Sequence, residues 1–223
     1  MAKNNTKSKQ GFTIIEVVLV LAIAGLIFLM VFVALPALQR SQRDTQRRND
    51  MSRVDTSLVQ YQTNNSTKSN NLPAQGTWPG KSAYTADCNS NSACLFVRDY
   101  MNTGVSGEST TNIFDDPNGA PYSLVITSNW AEGDLAYTQV GTITGAKNSL
   151  NQDYTSKLES KTIGEGAAAV TKYTINSGSF SDYVIYIIPG AKCDGEYAEK
   201  ADKRHFAVLY RLEGAGVYCI DDQ

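Results

Sequence analysis

Few residues in this chain could do chemistry, and they are scattered. Glu16 is an acid set in a run where 23 of the 27 residues from Phe12 to Leu38 are apolar. An acid in a membrane helix costs up to about 2.5 to 3.5 kcal/mol at the bilayer centre and less toward the interface, so it needs a compensating charge. The positive end of a helix dipole is one such place. Asp115, Asp116 and Asn118 crowd one turn with oxygen atoms. They could serve calcium, or simply an Asx turn leading into a strand. Four cysteines, Cys88, Cys94, Cys193 and Cys219, allow two disulfides in three connectivities if they lie outside the membrane. His205 is the one histidine, and it has no partner in sequence. No phosphate loop, metal-ligand spacing or nucleophile constellation is present. The expectation is a protein with no enzymatic activity, no metal and no cofactor.

The elements that must position these residues begin with the apolar run. Val17 to Leu38 gives 22 residues without a charge, or about 33 Å of helix against a hydrocarbon core of roughly 30 Å. A cleavable secretory signal expects a shorter run and a small-x-small site, which Ala34-Leu35-Pro36-Ala37 does not supply. Past Leu38 the pattern turns amphipathic, with Met51, Val54, Leu58 and Tyr61 on one stripe, so one helix is expected from Phe12 to about Thr63. Gly25 and Pro36 are its weak points. Its polar face carries Arg40, Arg43, Asp44, Arg47, Arg48, Asp50, Arg53 and Asp55. This reads as a solvated face with i,i+4 pairs Arg40/Asp44 and Asp44/Arg48; DNA binding through the arginines is a minor alternative.

Asn64 to Gly76 is polar and rich in turn formers, hence a surface loop. Strands are expected at Tyr122 to Thr127, Asp134 to Ile143, Val170 to Asn176, Tyr183 to Ile188, Phe206 to Leu212 and Val217 to Ile220. The last two form a hairpin through Glu213-Gly214-Ala215-Gly216. Tyr183 to Ile188 is apolar on both faces and belongs in the middle of a sheet. One antiparallel sheet on the helix stripe, with one core, is the expected α+β head.

At the front edge, the basic stretch Met1 to Gln10, with Lys3, Lys7 and Lys9, meets Gly11-Phe12-Thr13-Ile14-Ile15-Glu16. This resembles the type IV pilin family and the related type II secretion pseudopilins, whose precursors carry a short basic leader ending in glycine, then Phe-Thr-x-x-Glu opening a long apolar helix. The resemblance implies a type IV pilin fold in four parts: a cleaved leader over 1–11, a membrane and filament-core helix over 12–38, an amphipathic half over 39–63 and a head over 64–223. It implies cleavage between Gly11 and Phe12 by a prepilin peptidase, which is also the methyltransferase acting on the new Phe12 terminus. The freed α-ammonium lies one helical turn from Glu16 in sequence; if it belongs to a neighbouring subunit, the pair sets the register of assembly. Local unwinding between Gly25 and Pro36 is implied on assembly.

The partners implied are other copies of the chain in a helical homopolymer, a pilus assembly platform with its ATPase, the cytoplasmic membrane before assembly, and a host cell or surface as an adhesion target. The implied location is a single-pass membrane precursor with its head outside, then a surface pilus serving adhesion or twitching motility. The pairs Cys88–Cys94 and Cys193–Cys219 are favoured, the second resembling the carboxy-terminal disulfide loop of many pilins. Asp116-Pro117-Asn118-Gly119-Ala120-Pro121-Tyr122 looks like the Asp-Pro-x-Gly-x-Pro-Tyr element of major pseudopilins, with Asn118 where Trp is common. A pseudopilin of a secretion or DNA-uptake machine is therefore the alternative, and a signal-anchored receptor that never polymerises is a further one.

The composition is consistent with this. A net charge of −2 and a mean hydropathy of −0.28 describe an average that hides two unlike parts. Loss of the three leader lysines would take the side-chain charge from −2 to −5, which argues against a protein that coats nucleic acid.

Overall fold

The computed structural model describes residues 11–66, 71–78, 92–101, 114–120, 122–132, 158–164, 169–176, 183–214 and 216–222. Helix α1 runs unbroken over Ile14–Asn64, through both Gly25 and Pro36. By internal contacts the chain divides between Gln42 and Arg43. In the first unit the large apolar side chains from Phe12 to Leu38 are exposed, Phe12 at 85% and Phe32 at 72%. In the second, Met51, Val54 and Leu58 are fully buried and Tyr61 packs against the same core, as their spacing of three to four residues predicts.

The rest of the second unit is a head of two sheets. Strands β1 (Gly76–Trp78), β2 (Ser123–Ile126), β5 (Val184–Pro189), β8 (Phe206–Arg211) and β9 (Val217–Asp221) form the first, in that order. Strands β3 (Leu158–Ile163), β4 (Val170–Ile175), β7 (Tyr197–Lys200) and β6 (Ala191–Asp194) form the second. The expected single sheet with one core is thus corrected to two sheets and two cores. Strand β5 explains why. Its residues Ile185 and Ile187 join the core built on α1, while Val184, Tyr186 and Ile188 join a second core with Leu158, Tyr173, Ile175, Ala191 and Ala198 from the other sheet. A strand apolar on both faces needs a layer on each side.

The expected antiparallel pattern is also corrected at one place: β2 and β5 run parallel, Ser123 opposite Val184 and Ile126 opposite Ile187. A parallel pair needs a long crossover, and here the connection supplies β3 and β4 of the second sheet. The chain changes sheets again at Gly190, between β5 and β6, with φ of +75°. A Cβ there would meet the Ala131 backbone nitrogen at 2.5 Å, so the turn requires glycine.

The expected strand over Asp134 to Ile143 lies outside the described residues. Among those described, the sequence reading missed β1, β3, β6 and β7. It also missed helix α2 (Ser92–Phe96), which continues as a π-helical turn over Val97–Met101. Cys94 sits in α2 and is buried beside Ala93 and Phe96, because this segment closes the first core with Phe96, Val97 and Met101.

Candidate assembly site

The amino-terminal site is built by the start of α1. The Glu16 and Val17 amides donate to the Thr13 carbonyl at 3.1 and 3.4 Å, which makes Thr13 the capping residue and puts Glu16 in the first turn. Thr13 and Glu16 have the spacing of a capping box, and the carboxylate stands where the helix dipole favours it. Gly11 has nothing within 4 Å of an added Cβ, and Phe12 is exposed. The helix that follows is long and apolar enough to cross a membrane, and its apolar stretch is exposed.

A second set of residues holds the other half of α1 to the head. The Arg47 side chain is wholly buried. It donates from Nε to Asp116 Oδ2 at 2.6 Å and from Nη2 to Asp116 Oδ1 at 2.9 Å, a two-point grip. Its Nη1 donates to Asp44 Oδ1 at 2.8 Å and Glu213 Oε2 at 3.2 Å. Arg43 forks onto Glu213 at 2.8 and 2.6 Å. Asp44 in turn accepts the backbone amides of Glu213 and Gly214 at 3.0 and 2.9 Å, and Asp116 accepts the Tyr210 hydroxyl at 3.1 Å.

Burial alone would pull the Arg47 guanidinium toward neutrality, but the hydrogen bonds and charges of Asp116 and Asp44 outweigh it and raise its pKa. The Arg43 hydrogen bonds, with those of Arg47, hold the Glu213 carboxyl down at about 2. Burial raises Tyr210, and Asp116 reinforces the shift.

This cluster corrects two expectations. The polar face of α1 is not uniformly solvated: Arg43 and Arg47 are engaged inside the head, and Arg48 lies 5.6 Å from the Tyr218 ring centroid. The DNA reading loses two of its arginines. Nor do Asp116 and Asn118 form a calcium loop. Both Asp116 oxygens are taken by Arg47, and Oδ1 also accepts the Asn118 amide at 2.9 Å, the Asx turn that was the alternative. Among the described residues no group of acids, histidines or cysteines could hold a metal. The turn of Asp116 to Tyr122, with Gly119 at φ +80°, places an acid where Arg47 needs one. Arg47 was legible only as one charge among many; no signal in sequence separates a buried arginine from its exposed neighbours.

Cys193 and Cys219 form a disulfide with Cα atoms 5.7 Å apart, joining β6 of the second sheet to β9 of the first. Cys94 is also disulfide-bonded; its expected partner Cys88 lies outside the described residues. His205 stands exposed, its Nδ1 3.1 Å from Asp222 Oδ1.

With this geometry in hand, the comparisons bear on one end of the chain. A family model described as the prokaryotic N-terminal methylation motif matches residues 6–32, the stretch that holds Gly11, Phe12, Glu16 and Gly25. The chain therefore carries a class III prepilin leader, and that leader, the long apolar helix and the α+β head support a type IV pilin-like or pseudopilin precursor anchored in a membrane. Comparison with curated proteins and with solved structures finds no match.

Proposed function

We propose that the chain is a structural, non-catalytic subunit of a type IV pilus. In this reading prepilin peptidase cleaves between Gly11 and Phe12 and methylates the Phe12 amine. The subunit then leaves the cytoplasmic membrane through an assembly platform and its ATPase and polymerises into a surface filament for adhesion or twitching motility. The methylation motif over residues 6–32 carries the reading, because it joins a processing signal to a helix whose apolar side chains are exposed among the described residues. Copies of the same helix are the natural cover once lipid is left behind. Glu16 then meets the Phe12 ammonium of a neighbour, and the stretch from Gly25 to Pro36 is where the helix loosens, since a proline removes one backbone hydrogen bond.

The alternative is a pseudopilin of a type II secretion or DNA-uptake machine, favoured by the Asp116 to Tyr122 element that serves the Arg47 clamp. Mass spectrometry of the native amino terminus tests the shared part: N-methylated Phe12 is expected. An intact Met1 or Ala2 terminus would instead identify a membrane-anchored receptor. Sheared surface filaments made of this chain separate a major pilin from a pseudopilin.

A further inference from the structure

Beside the last strand, α1 and β9 enclose a groove whose rim is acidic and whose wall is partly apolar, with Asp55 and Val59 on the helix and Ile220, Asp221 and Asp222 on the strand side. Among the described residues no lysine or arginine lines it. Asp221 accepts the Cys193 amide at 2.6 Å, and Asp222 accepts the Phe206 amide at 3.2 Å and faces His205. Asp55 differs: its Oδ1 is sealed from solvent without a hydrogen-bond partner. Val59 above it is 41% exposed.

Next to this groove lies a basic turn. Lys200, Lys203 and Arg204 flank the β7–β8 connection, Lys203 and Arg204 are exposed, and among the described residues no carboxylate pairs with any of the three. The turn is nonetheless fixed in place. Gln62, which also lines the groove, donates to the Arg204 carbonyl at 2.5 Å. Asn129 donates to the Lys203 carbonyl at 3.2 Å, and the His205 amide closes the turn onto the Asp202 carbonyl at 3.0 Å. A fixed backbone thus presents cations that pair with no described carboxylate, beside a groove in which Asp55 Oδ1 lacks a hydrogen-bond partner.

We propose that this face docks a second copy of the chain, the Lys203–Arg204 turn of one head seating in the groove of Asp55, Asp221 and Asp222 on the next. The inference rests on the filament reading and deepens it. A turn seated in a groove joins two different surfaces of the same chain, which is the heterologous contact that a helical polymer requires. The cation that enters the groove meets Asp55, whose Oδ1 has no hydrogen-bond partner among the described residues. Burial, with the nearby Asp222 and Asp221, raises the Asp55 carboxyl to about 6, in keeping with a carboxylate that pairs with no described cation. Since such pairs sit at a surface, the contact weakens with salt.

The test uses assembled filaments in which a photo-crosslinking residue replaces Lys203. Irradiation is expected to give cross-linked head dimers whose adducts map to residues 55–62 or 217–222 of the second copy. Absent dimers, or dimers whose adducts map elsewhere, overturn the contact. In parallel, Lys203→Glu with Arg204→Glu is expected to cut sheared filament mass several-fold with no change in the thermal midpoint of the head, and adding Asp55→Lys is expected to recover at least half of the loss. Full filament yield from the double reversal overturns the proposal. If the wild-type chain yields no filament at all, the pilus reading falls and this contact with it; filaments with adducts elsewhere sink the contact alone.

Discussion

Arg47 and Glu16 are both charges in apolar surroundings, answered in different ways. Arg47 is compensated inside its own head by Asp116, Asp44 and Glu213, whereas Glu16 is exposed in the first turn of α1. Removing one side of a buried ion pair costs about 3 to 5 kcal/mol because the other side is left uncompensated. Arg47→Met should therefore lower the thermal midpoint by roughly 10 °C in a head of this size, and pairing it with Asp116→Leu should recover much of the loss; simple additivity of the two single losses would refute the coupling. Glu16→Gln should leave a processed, membrane-inserted subunit that assembles poorly, and normal filament yield would refute the register role.

Glu213 and Asp55 give opposite pH signatures. Glu213 is depressed from 4.5 to about 2, so the stability it contributes is present above pH 4.5 and is lost as the pH falls through 2. Asp55 is raised from 3.8 to about 6; the folded state binds the extra proton between these values, and stability falls as the pH rises across that interval. Thermal melts of the isolated head of Asp55→Asn should therefore gain a few degrees at pH 7 and nothing near pH 3, while Glu213→Gln should lose at pH 7 and match the wild type below pH 2.

At the scale of elements, two devices tie the sheets together. Gly190 turns the chain from β5 into β6, its amide donating to the His205 carbonyl at 2.7 Å and its carbonyl accepting the Ala201 amide at 2.8 Å. Gly190→Ala combines a left-handed φ with a clash against backbone, which does not yield as a side-chain tip does; about 2 to 4 kcal/mol of destabilisation is expected, read by urea titration. The Cys193–Cys219 bridge closes 26 residues, and the chain-entropy model gives it about 3.5 kcal/mol. Reduction should lower the midpoint while leaving the first core, which the bridge does not enter, protected in hydrogen exchange.

The helix stripe of Met51, Val54 and Leu58 and strands β2, β4, β5, β8 and β9 were legible because each repeats an apolar period over several residues. Strands β3, β6 and β7 were not. Leu158 is the only buried residue of β3, and β6 and β7 are four residues each, two of them charged, so their strand character comes from pairing with β4 and with each other.

For the whole molecule, amino-acid order determined the solvent each part meets. The 22 uncharged residues from Val17, the leader before Phe12 and the placement of Glu16 need no fold to be read, because membrane partition and peptidase recognition act on a contiguous stretch of chain. The division of the head into two cores, the parallel β2–β5 pair, and the choice of Arg47 over Arg40 or Arg48 as the buried cation were decided only in three dimensions. Arg47 shares its side-chain type with its neighbours and meets Asp116 across 69 positions of sequence. Burial of a charge is settled by the partner that folding brings to it, and a partner that distant leaves no mark on the local pattern.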